Sequence, residues 1–155
     1  MELYLIVRTI HIVSSAILFG TGIGIAFFMF QTYCTDNIYE KSYAVRNTVL
    51  ADYIFTAPAV LLQPATGFWL VWQGGYGWSE SWLVSTYIIY IIAGLCWLPV
   101  VWIQIRLKNI IAESVQRKTA LPPRYYTLFK AWFILGWPAF IGLVVVFFLM
   151  VFKPT

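Results

Sequence analysis

Four long apolar stretches, Tyr4 to Met29, Val49 to Trp72, Trp82 to Ile105 and Leu128 to Phe152, make up most of this 155-residue chain and carry almost no charge inside them. Each has about the length needed to cross a ~30 Å hydrocarbon layer as a helix rising ~1.5 Å per residue, with some tilt to spare. Because lipid offers no hydrogen-bond partner to the backbone, a helix that satisfies its own N–H and C=O groups is the form such a stretch takes. The pattern predicts an all-α integral membrane four-helix bundle. Its helices cover about residues 4–29, 49–72, 82–105 and 128–152, within one transmembrane domain over 1–155.

With 61% apolar and 10% charged residues, little chain is left over for a soluble domain. The first stretch has Glu2 ahead of it, where a secretory signal carries basic residues, and it is longer than a signal's apolar segment, so we expect a retained helix. The formal charge of +4 is concentrated beside the helices. Lys41 and Arg46 lie between stretches one and two, and Arg106, Lys108, Arg117, Lys118 and Arg124 between three and four. The positive-inside rule then puts both basic connections in the cytoplasm, with the two termini and the Gly74 to Gly77 turn on the far side; Lys153 alone opposes this. Basic residues placed this way address a lipid bilayer, and we expect no nucleic-acid partner.

Trp69, Trp72, Trp78 and Trp82 crowd one expected boundary and Tyr33, Tyr39, Tyr43, Tyr125 and Tyr126 the other, as interfacial belts do. Between stretches three and four, Ile110, Ile111 and Val115 alternate with Lys108, Glu113 and Arg117, which predicts an amphipathic interfacial segment over about 107–118, ended by Pro122 and Pro123. Pro58, Pro64, Pro99 and Pro138 fall inside the apolar stretches and free the carbonyls of Ile54, Val60, Leu95 and Ile134. We expect proline-kinked helices around a mid-depth cavity, or else neighbouring helices that satisfy the freed groups. Cys34 and Cys96 fall at different depths, so no disulfide is expected between them.

The chemistry must come from the few polar residues placed in lipid. His11 is the only histidine, with Arg8 one turn closer to the boundary. At about 100° per residue Arg8, His11, Ser15 and Gly22 share a face, while Ala16, Gly20 and Gly24 lie nearly opposite. That second stripe is a small-xxx-small pattern, for close helix approach within the bundle or across a homodimer or larger membrane complex. His11 sits roughly 10 to 12 Å below the boundary by helical rise. There it suits a b-type haem, with iron on the imidazole, Arg8 on a propionate, and Gly22 or Ser15 leaving room for the macrocycle. With no second histidine the iron is five-coordinate or takes a Met, Tyr, Lys or partner ligand. The alternative is a structural His11, bonded to a buried carbonyl, to Tyr90 or to Gln63. A second polar group, Asp52 with Arg46, Arg106 and Lys130, predicts an ion pair of Asp52 with Lys130 or Arg106.

The run from Arg8 through His11 to Gly22, the segment Asp52 to Pro58, Gln63-Pro64 with Gly67, Trp97 to Arg106 through Pro99 and Gln104, and Leu121 to Tyr125 together resemble an uncharacterised family of small bacterial four-helix membrane proteins, a domain of unknown function. The resemblance covers essentially the whole chain and implies a bacterial multi-pass membrane protein; with the distribution of basic residues, the expectation is an inner-membrane protein with both termini periplasmic. More distantly, helix one is similar to that of the haem-dependent protoporphyrinogen oxidase and of the copper-resistance membrane protein family, where a histidine matches His11. The oxidase's lysine early in helix three has no counterpart in Trp82 to Thr86. The leading expectation is haem b bound through His11 in a redox or electron-transfer role. The alternative is a non-enzymatic membrane subunit, scaffold or assembly factor, and the third reading is small-solute transport.

Overall fold

A computed structural model describes residues 1–154. Four helices long and apolar enough to cross a membrane follow one another: α1 Glu2–Cys34, α2 Ile38–Gln73, α3 Ser81–Arg117 and α4 Pro123–Phe152. Among the described residues there is no strand. The helices outrun the apolar stretches because polar segments beside them have packing partners of their own. Ile38 to Thr48 is helical, started by the Asn37 side chain, which accepts the Tyr39 N–H at 2.9 Å. Residues 107–118, expected as an interfacial piece, form the last turns of α3 and the residue that caps it. Leu107, Ile111 and Ser114 there are buried in the bundle, so the amphipathic pattern serves helix packing.

α2 contains a wide π turn over Asp52–Thr56, directly before Pro58. A proline ring collides with the carbonyl four residues back, and a turn closed by i to i+5 bonding relieves that crowding. The Ala57 N–H accordingly bonds the Asp52 carbonyl. α2, α3 and α4 run through Pro64, Pro99 and Pro138 as helix.

Sequential helices pack side by side, most extensively α3 against α4, and α1 meets α4 mainly through aromatic side chains, with Phe19 stacked on Phe140 and Tyr33 on Phe129. Gly142 marks a close α3–α4 approach, since a Cβ there meets Ile89 Cγ2 at 3.0 Å. Both ends of the bundle are filled. Met29, Val45, Leu107, Ile111, Tyr125, Phe129 and Trp132 form a core at the end with the basic connections. Val71, Trp82 and Leu83 form a smaller one at the end with the termini. Lys41, read above as a loop charge, is buried in this frame, donating from Nζ to the Thr32 carbonyl near the C-terminus of α1 and lying 5.9 Å from the Tyr125 ring centroid. A cation there satisfies a terminal carbonyl and the negative end of the helix dipole. The outer surface is apolar, with Ile91, Leu95, Leu98 and Ile134 exposed, as lipid contact requires.

Candidate functional site

Near the termini, α1 and α2 are clasped by four side chains. Gln63 Nε2 donates to the His11 carbonyl at 2.8 Å and to the buried Ser14 hydroxyl. One turn on, Thr66 Oγ1 lies 2.7 Å from His11 Nδ1. The same hydroxyl lies 2.6 Å from the Leu62 carbonyl of its own helix. When its one proton goes to that carbonyl, the threonine oxygen accepts from His11 Nδ1 and leaves Nε2 with its lone pair. Gly67 lets the ring lie against the α2 backbone, where a Cβ comes to 3.4 Å from His11 Cε1. The expected partners Tyr90 and Gln63 do not bond the imidazole. Tyr90 donates to the Val60 carbonyl at 2.6 Å, and Gln63 takes the backbone of His11 instead.

Arg8, His11 and Ser15 line one cavity of about 660 Å³. The rest of its wall is largely apolar and comes from all four helices, with Lys153, Met150 and Tyr87 among the contributors. Lys153 is anchored at the rim by its bond to the Tyr76 hydroxyl, its Nζ 4.2 Å from that ring's centroid. Gly22 borders a second cavity, of about 420 Å³, deeper in the bundle. The shared-face reading thus brings Arg8, His11 and Ser15 together and leaves Gly22 apart, because Gly22 lies three turns along α1 from His11. Leu18, Tyr90 and Leu143 line both spaces. Among the described residues no group of three or more His, Cys, Asp and Glu side chains is placed to hold a bare metal ion.

The ion pairs expected for Asp52 do not form. The one salt bridge among the described residues joins Arg117 to Glu113 at 3.0 Å on the α3 surface. Arg106 and Lys130 are exposed, the former 5.2 Å from the Trp102 ring centroid. Asp52, by contrast, is buried. The Ala16, Gly20, Gly24 stripe is likewise unused within the bundle: a Cβ added at Gly20 or Gly24 meets nothing within 4 Å.

No curated protein and no solved structure matches this chain. A family model described as "Predicted integral membrane protein (DUF2269)" matches residues 5–154.

Proposed function

The chain belongs to the DUF2269 family of predicted integral membrane proteins, and we propose that it binds one b-type haem through His11 and serves a redox or electron-transfer role in the bacterial inner membrane. The observation that carries this reading is the His11–Thr66 bond. A metal-binding histidine characteristically donates its second ring nitrogen to a fixed acceptor, which sets the tautomer and the ring plane. Here Thr66 is that acceptor, and the imidazole with its free Nε2 lines the larger cavity.

The residues fit the group. The space of about 660 Å³ falls within the ~300–1,000 Å³ typical of cofactor sites. Its wall is mostly apolar, and it carries two cations, Arg8 and Lys153, suited to propionates. Met150 and Tyr87 lie in the same wall and would border a bound haem. When bound, such a haem supplies one-electron chemistry; the protein supplies axial ligation, a fixed ring plane and burial. Protein purified in mild detergent from haem-replete cells should show a Soret band and about one haem per chain by pyridine haemochrome, lost in His11→Ala. A colourless, folded protein overturns the reading.

The open small-residue stripe favours a second reading, a non-enzymatic subunit or assembly factor whose Gly20 face docks a partner helix. Co-purification of a stoichiometric partner, lost in Gly20→Leu and kept in His11→Ala, distinguishes it. In either case the distribution of basic residues supports a topology with both termini in the periplasm.

A further inference from the structure

The seam between α1 and α4 is open to lipid over part of its length. Phe19 stacks on Phe140 at 5.4 Å between ring centroids, and nearer the basic connections Phe30 meets Phe133 at 6.5 Å. The two pairs are eleven residues apart along α1 and seven along α4, which at the rise of a helix leaves a window of about 10 to 17 Å between them. Phe27 and Trp137, inside that window, are exposed on the lipid-facing surface and also line the smaller cavity. The cavity is thus continuous with the hydrocarbon outside.

Its dimensions are those of a chain. Glycines open it from three helices: Gly22, Gly94 and Gly136 line it, and a Cβ on any of them meets nothing within 4 Å. The lining runs from Leu18 to Phe27 on α1, from Tyr90 to Gln104 on α3 and from Trp132 to Leu143 on α4. These spans correspond to about 14 to 21 Å along the helix axes, close to half of the ~30 Å hydrocarbon thickness. About 420 Å³ spread over that length leaves a cross-section of about 20 to 30 Å², narrow enough to hold a single hydrocarbon chain. The void requires no hydrogen bond of its guest. Tyr90 gives its hydroxyl proton to the Val60 carbonyl, and Asp52 Oδ2, Thr56 Oγ1 and Gln104 Oε1 are buried within the wall. An apolar guest regains the dispersion contacts that an empty void forfeits.

Lys130 specifies the other end of the guest. It is exposed on α4, three and seven residues before Phe133 and Trp137, and so lies on their face of the helix. It sits one turn beyond the Phe30–Phe133 pair and makes no salt bridge among the described residues. A chain seated in the cavity brings its headgroup to that level, where a cation suits a phosphate. We propose that the α1–α4 seam holds one anionic phospholipid, with an acyl chain in the smaller cavity and the headgroup against Lys130. The site is independent of haem, because His11 lines the larger cavity and not this one.

The test uses the full-length protein in phosphatidylcholine nanodiscs, titrated with phosphatidylglycerol brominated near the glycerol end of one acyl chain. Bromine quenches tryptophan on contact, and the buried Trp132 lines the cavity away from bulk lipid. Saturable quenching is expected, reduced in Trp132→Phe and unchanged in His11→Ala. Gly94→Leu and Gly136→Leu each fill the void and should abolish the saturable component in protein shown to be folded by circular dichroism and its thermal transition. Lys130→Ala should weaken binding about fivefold, the worth of one basic residue at a lipid surface. Four results overturn the proposal: no saturable component, equal quenching by brominated phosphatidylcholine, undiminished binding to the folded leucine variants, or displacement of the bromolipid by a lower mole fraction of an isoprenoid alcohol.

Discussion

Tyr90 of α3 donates its hydroxyl proton to the Val60 carbonyl of α2 at 2.6 Å, and Val60 is the residue whose intrahelical partner is missing because Pro64 has no N–H. The proline defect of one helix is thereby repaired by a side chain of the next, which is how lipid-embedded helices tolerate proline. Tyr90→Phe leaves the carbonyl unsatisfied and should destabilise the protein by about 1 kcal/mol in a denaturant titration in bicelles. In a Pro64→Ala background the carbonyl regains a backbone donor, so the same substitution should cost less; an equal cost in both backgrounds disproves the repair.

The four helices were legible because hydrocarbon thickness imposes a length and lipid forbids charge, constraints that hold residue by residue. Their ends were not. Ile38 to Thr48 and Leu107 to Arg117 are polar enough to read as connections, and only tertiary contacts, such as Val45 and Leu107 meeting in one core, make them helix. At the site, depth counting brought α2 to the level of His11 but resolves no better than a turn, which is the distance between Gln63, the residue expected, and Thr66, the residue that bonds the ring. Depth also says nothing about facing, hence the failed pairing of Asp52 with Lys130 or Arg106. Thr66 itself had a signal in its spacing of three from Gln63, which puts both on one face of α2.

If Thr66 fixes the His11 tautomer, Thr66→Val should lower haem affinity by roughly 10–100-fold without unfolding the bundle, and Thr66→Ser should restore it. Haem titration of the apoprotein measures this. Equal affinities of the valine and serine variants would show that the hydroxyl plays no part.

Gly142 and Gly20 make opposite predictions from the same residue type. A Cβ at Gly142 already crowds Ile89, so Gly142→Leu should destabilise the monomer by about 1–3 kcal/mol through α3–α4 separation. Gly20 has open space beside it, and Gly20→Leu should stay within about 0.5 kcal/mol. Thermal unfolding of monomeric protein in detergent compares the two, and any large Gly20→Leu effect must then come from a partner.

Cys34 is exposed at the end of α1 beside the basic connections, while Cys96 is only partly accessible within α3. If both termini are periplasmic, as proposed, a membrane-impermeant maleimide should leave Cys34 unlabelled in spheroplasts and label it in inverted vesicles. A Cys34→Ser control assigns the signal. Labelling from the spheroplast side reverses the topology proposed from the positive-inside rule.

Asp52 is the residue whose burial most needs a reason. Its carboxyl lies inside a helical bundle with no cation paired to it among the described residues, in a cavity kept open by glycines. The Thr56, Trp97 and Gln104 side chains lie within hydrogen-bonding reach of it. Removing the carboxyl leaves those buried partners unmet. Asp52→Leu should therefore lower stability by about 1–3 kcal/mol, seen as an earlier transition in thermal or denaturant unfolding, whereas Asp52→Asn, which keeps polar atoms in the same place, should cost less. An Asp52→Leu protein more stable than the parent would show that the carboxyl is not tied to Thr56, Trp97 and Gln104.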